Sequence, residues 1–207
     1  MKLYTFANDA YKPMLVRFMS SLKDNYEVIV KTPTFAKTEG VFSKDCWIAK
    51  TEMIVDAIKN NIGNKIIVCD VDIQFFRSTL PLIEACPDVD FLAQQEREIL
   101  CIGFMVIKCN EKTLQFFNEV LERCKAGEWD QKVINEKIRQ ENKLTWAFLP
   151  PEIWGWTPEG VIPANIAAHH ATFAFNLEDK LKQMEKLANI VKLDKIEDEG
   201  GSYIGES

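Results

Sequence analysis

Asp70 and Asp72 stand one valine apart, directly after the apolar run Ile66-Ile67-Val68-Cys69. In an extended chain residues i and i+2 point to one face, so both carboxylates can converge on a single ligand. Carboxylate oxygens are hard donors suited to Mn²⁺ or Mg²⁺, and such an ion bridges phosphate oxygens and offsets their charge. The alternative is a pair of solvated turn aspartates, because a D-x-D triplet on its own arises often by chance. His169 and His170 are the only two histidines in the chain. Asp130-Gln131 opens a helical segment, where the aspartate could cap the helix and favour its dipole or could face a ligand. Gly103 interrupts an apolar strand, either as a bulge or where a ligand approaches the backbone closely.

These residues need elements to hold them. Leu3–Ala7, Tyr26–Lys31, Lys65–Cys69, Asp90–Gln94, Ile99–Lys108 and Trp146–Leu149 read as strands, rich in β-branched and apolar residues. Helices are expected from Pro13 to Leu22, with Pro13 in the first turn, and from Lys44 to Asn61, with Ser43 as N-cap and Gly63 as the stop. Others follow: a short one after Pro81, then Glu111–Lys125, Asp130–Asn142 and Leu177–Val191. Thr32–Phe42 and Pro150–Pro163 read as loops. Strands alternating with helices predict an α/β class, with a mostly parallel central sheet flanked by helices. A strand running into Asp70 delivers both carboxylates to the carboxyl edge of such a sheet, where open α/β folds bind ligands.

The 207 residues suit one domain, expected over 1–192, with the acidic, Gly- and Ser-containing stretch 193–207 as a tail or a linker to further domains. A net charge of −6 and the lack of a basic run argue against nucleic-acid binding. The six cysteines show neither CxxC pairing nor zinc spacing and read as reduced, mostly buried thiols. With no apolar run of membrane-spanning length and no signal peptide at the start, a soluble, cytoplasmic protein is expected.

Several segments occur in an order that resembles the GT-A glycosyltransferases, specifically the nucleotide-diphospho-sugar transferase group. YTFANDAY resembles their first strand and nucleoside loop; IIVCDVDIQFF carries the DxD; CIGFMVIKCN resembles an NxGFxxxR strand. WDQKVINEKI resembles their Asp-Gln helix start, and AHHATFAFNLEDKLKQM a C-terminal HANxxxGxxxK pattern. The likeness spans residues 3–184 and extends to glycosyltransferase domains encoded by large algal viruses. It departs from the pattern at Cys101, Thr172 and Asn176, which replace Asn, Asn and Gly.

The resemblance implies a single Rossmann-like GT-A domain using Mn²⁺ or Mg²⁺ and a nucleotide-sugar donor, UDP-sugar by preference, to glycosylate a glycan acceptor. It assigns the metal to Asp70, Asp72 and His170, with His169 as fallback and Asp70 also able to reach the ribose. It assigns the donor to Thr5, Ala7, Asn8, Lys50, Val71, Gly103 and Lys180, and gives Asp130 and Gln131 to catalysis. In the resembled enzymes the aspartate binds sugar hydroxyls and the glutamine lies near the anomeric carbon. An amide is a weak nucleophile, so front-face transfer with retention is expected. Apart from the resemblance, Trp154 and Trp156 could stack on the apolar C–H face of an acceptor sugar or pack over the sheet edge. Two rivals are a haloacid-dehalogenase-type phosphatase with Asp70 as nucleophile, and a non-catalytic binding module of the same fold. The phosphatase would need Thr or Val where Gln74 stands and a later acidic pair.

Overall fold

The computed structural model describes residues 1–33, 43–141, 143–155, 160–174 and 176–191, with backbone alone over 192–200. The expected alternation of strands and helices is present. Strand β1 (Lys2–Phe6) leads through a 3-10 turn at Asp9–Tyr11 into α1 (Lys12–Ser21), and β2 (Glu27–Lys31) follows. Helix α2 (Lys44–Lys59) starts at Ser43, whose hydroxyl accepts from Cys46 N, and leads into β3 (Lys65–Cys69). Next come β4 (Ile73–Phe75), α3 (Leu80–Glu84), β5 (Phe91–Glu96) and β6 (Ile99–Lys108). Helix α4 (Glu111–Lys125) opens with a capping box between Asn110 and Thr113, and α5 (Asp130–Glu141) follows it. The chain continues through β7 (Trp146–Phe148), β8 (Ile153–Gly155) and β9 (Ala168–His170) to α6 (Leu177–Gly200).

The central sheet has the order β2-β1-β3-β6-β5-β7. Five of its strands share one direction and β6 runs against them. Helices cover both faces, so the strands bury side chains on both sides and read as continuous apolar runs. In β3, Ile66 and Val68 enter the core beneath α2, α4 and α5, whereas Ile67 and Cys69 enter the opposite one with Phe18, Phe75 and Met184.

Three strands escaped the sequence reading. They form a second sheet, ordered β4-β9-β8, that adjoins the end of β3. Each is three residues long, too short to show a period. Pro150–Pro163, expected as a loop, thus contains β8. The backbone of α6 also passes the expected boundary at 192–193, because no glycine or proline interrupts the stretch before Gly200. Most of the expected loop 32–42, together with Trp156 and residues 201–207, lies outside the described residues.

Candidate active site

The DxD pair sits where β3 leaves the sheet. Asp70 N donates to Gly103 O at 2.7 Å, tying the turn to β6, and β4 begins immediately after Asp72. β4 runs antiparallel to β9, placing Ile73 opposite His170 and Gln74 opposite His169. Ala171 N then donates to Asp72 O at 3.0 Å. Alternation along β9 separates the two histidines. His170 faces the carboxylates, with Nε2 3.3 Å from Asp72 Oδ1 and 3.9 Å from Asp70 Oδ2. His169 faces away, its ring centroid 5.7 Å from that of Trp154, and burial followed by the charge of His170 pushes its pKa down to about 3.

One donor atom from each of Asp70, Asp72 and His170 lies within 4.8 Å of the others. Two carboxylates and one imidazole form a donor set that fits Mn²⁺ or Mg²⁺, with the remaining positions open to phosphate oxygens. Two buried ammonium groups flank the cluster. Lys50 Nζ lies 2.6 Å from Asp70 Oδ1 and donates to Ile102 O at 3.0 Å. Lys180 Nζ pairs with Asp72 Oδ2 and donates to Ala171 O at 2.9 Å. Burial opposes the charge of Asp72, but Lys180 and His170 outweigh it and hold this carboxyl far below the usual range. Burial likewise opposes the charge of Lys50, and Asp70 and Asp130 raise it above an ordinary lysine.

A cavity of about 310 Å³ opens in front of the cluster, near the lower end of the roughly 300–1,000 Å³ of small-molecule sites. Ala7, Asn8 and Val71 line it, together with Lys50, Lys180 and, from α5, Asp130 and Gln131. Asn8 caps the 3-10 turn by accepting from Tyr11 N at 3.2 Å. Thr5 does not line the cavity; its side chain is fully buried within β1. Asp130 is 4% exposed, and burial pushes its carboxyl up to about 6 although Lys50 pulls the other way. Rather than capping α5 from outside, Asp130 is the first helical residue, and its Oδ1 accepts from Gln131 N at 2.8 Å. Gln131 Oε1 accepts from Ile102 N at 3.2 Å, so the amide NH₂ is the group left to meet a ligand.

Gly103 and Trp154 also stand elsewhere than at a ligand. Gly103 does not line the cavity; it makes room for His170. A Cβ there would stand 2.0 Å from His170 Cε1 and 2.3 Å from Nδ1. The strand is irregular at the same point: Ala93 pairs with Met105 and the next residue, Gln94, with Cys101, so residues 102–104 of β6 form a bulge against β5. Trp154 is 9% exposed and packs with His169, Ile166, Leu187 and Val191, because its place in β8 turns it away from the cavity.

The structure adds aromatic residues that the sequence reading left unassigned. Tyr11, Trp47, Trp129 and Phe173 all face the cavity. Ser43, Cys46, Trp47 and Lys50 share a face of α2 and its N-cap at helical spacing, a stripe recognisable in principle from sequence. Burial, and then Asp72, push the Tyr11 phenol up to about 12, so it is a neutral donor.

A model of the nucleotide-diphospho-sugar transferase family matches residues 20–184. No curated protein sequence matches significantly. Among solved structures, a glycosyltransferase involved in glycosylation of the major capsid of PBCV-1 superposes with a TM-score of 0.61 at 12% identity, over 90% of this chain and 100% of that one. The glycosyltransferase GlyE of Streptococcus pneumoniae TIGR4 gives 0.59 at 9% identity, over 100% of this chain and 66% of that one. The galactosyltransferase LgtC, in complex with donor and acceptor sugar analogs, gives 0.54 at 12% identity, over 82% and 86%. At these identities the likeness to the three structures is one of fold.

Proposed function

The chain belongs to the nucleotide-diphospho-sugar transferase family, and from that premise we propose that it moves a hexose or deoxyhexose from a UDP-sugar to a glycan acceptor, with a divalent cation and with retention. The observation that carries this reading is the convergence of Asp70, Asp72 and His170 in the lining of a cavity that Asp130 and Gln131 also line. A cation held by those three residues would offset the charge of the departing diphosphate.

The chain's own groups divide the remaining work. Lys180 is placed beside Asp72 to share the diphosphate charge. Asp130, ionised above about pH 6, accepts hydrogen bonds from sugar hydroxyls. Gln131, its oxygen held by Ile102 N, presents NH₂ and so is a donor rather than a nucleophile. That polarity favours front-face transfer. The acceptor hydroxyl attacks the anomeric carbon from the side the diphosphate leaves, and the leaving oxygen takes the hydroxyl proton as the anomeric C–O bond to phosphate breaks.

The test is to incubate the purified chain with a panel of UDP-sugars and Mn²⁺, with and without EDTA, alongside Asp72→Ala. Donor hydrolysis or transfer that needs Mn²⁺ and vanishes in the variant supports the reading. Nucleotide binding without turnover would make the chain a binding module, and turnover in EDTA would refute the metal site.

A further inference from the structure

The ring of His170 meets two residues of β6. Gly103 contributes the empty volume that admits it. Cys101, 1% exposed, places Sγ 3.4 Å from His170 Nδ1. The other nitrogen, Nε2, faces Asp72 and Asp70. An imidazole binds a metal through one nitrogen while the other keeps its proton, and that N–H needs an acceptor to fix the tautomer and the ring plane. Among the described residues, Cys101 Sγ is the one hydrogen-bond partner of Nδ1.

We propose that Cys101 is a positioning residue, whose sulfur accepts from Nδ1–H of His170 and so presents Nε2 to the space between Asp70 and Asp72. The proposal rests on the metal reading given above and adds what orients its nitrogen ligand. Cys101 and Gly103 stand two apart on β6, where its register against β5 shifts, and both meet this ring. A thiol serving only as a small apolar filler would have no need to face the ring nitrogen, and the two roles respond oppositely to substitution. Valine keeps the apolar volume and loses the hydrogen bond; serine restores a hydrogen-bonding atom in a smaller, more polar side chain.

The experiment titrates wild type, Cys101→Ser and Cys101→Val with Mn²⁺ alone, counting free ion by electron paramagnetic resonance, with thermal melts to verify folding. Cys101→Ala replaces the valine variant if that does not fold. The valine variant is expected to bind Mn²⁺ about 10–100-fold more weakly and the serine variant to recover most of that loss. Equal affinity in wild type and Cys101→Val, or a loss that serine deepens, overturns the proposal. Should wild type itself bind no Mn²⁺, the metal reading fails, and imidazole ¹⁵N spectra then decide the role of Cys101. With two histidines in the chain, His169→Gln assigns the signals. An Nδ1 resonance of His170 that moves in the valine variant and returns in the serine variant supports positioning, and one that stays put overturns it.

Discussion

Gly103 and His170 occupy one another's space: the Cβ that any other residue would carry at 103 falls 2.0 Å from Cε1 of the imidazole. The glycine is there for a ring on a different sheet, contributed by a strand 67 residues later in the chain, Ala168–His170.

Gly103→Ala must therefore displace His170. We expect a stability loss of about 1–3 kcal/mol from overpacking, and at least a roughly tenfold weaker Mn²⁺ affinity as the nitrogen ligand leaves its place. Chemical denaturation and Mn²⁺ titration measure the two separately. Wild-type Mn²⁺ affinity in a folded Gly103→Ala would mean that His170 is not a ligand.

Under the proposed reaction, Asp130 would link turnover to pH. Its carboxyl is raised from 3.8 to about 6 mainly by burial, so the folded state holds this proton more tightly than the unfolded state. Its contribution to stability is greatest below about pH 4 and declines as pH rises to about 6, by about 3 kcal/mol in total. Asp130→Asn, whose oxygen can still accept from Gln131 N, should be more stable than wild type at pH 7.5 by about 1–3 kcal/mol and lose that advantage at pH 4. Its turnover should be low throughout, whereas wild-type turnover falls as pH drops through about 6. Urea melts at the two pH values that show the same difference would disprove the assignment.

Lys50 both pairs with Asp70 and lowers the pKa of Asp130. Lys50→Met should shift the acid limb of the rate profile upward from about 6. Because the Asp70 side chain is 26% exposed, the stability cost of the broken pair should stay near 1–2 kcal/mol rather than the larger cost of a fully buried one. An acid limb left in place would separate Lys50 from Asp130.

For Gln131→Glu the two transfer chemistries diverge. The carboxylate can still accept from Ile102 N, so the fold should hold, but the NH₂ is gone. Front-face transfer then slows by about 100–1,000-fold, as expected for losing one hydrogen bond made in the transition state. A side chain acting as nucleophile would instead become stronger and accumulate a glycosyl-enzyme. Intact-protein mass spectrometry after donor addition distinguishes the two.

The apolar runs of β3 and β6 and the caps at Ser43 and Asn110 speak for themselves, because burial on two faces and cap chemistry are local properties of residue order. Asp70-Val71-Asp72 was legible in the same way, as two carboxylates that an extended chain turns to one side at the end of a buried strand. Asp130-Gln131 and the histidine pair were likewise visible as candidates. The choice of His170 over His169, however, depends on which side of β9 faces β3. That is fixed by a three-residue pairing with β4 that has no period to read. The same holds for Gly103, read as a ligand contact or a bulge and found to admit a ring at a bulge, and for Trp154, read as an acceptor contact or as packing and found in a core. Residue order alone thus marked candidate side chains and the long elements that bear them. The tertiary structure alone decided which of them meet, because contacts across sheets arise from register and bulges between segments distant in sequence, where no local pattern records the partner.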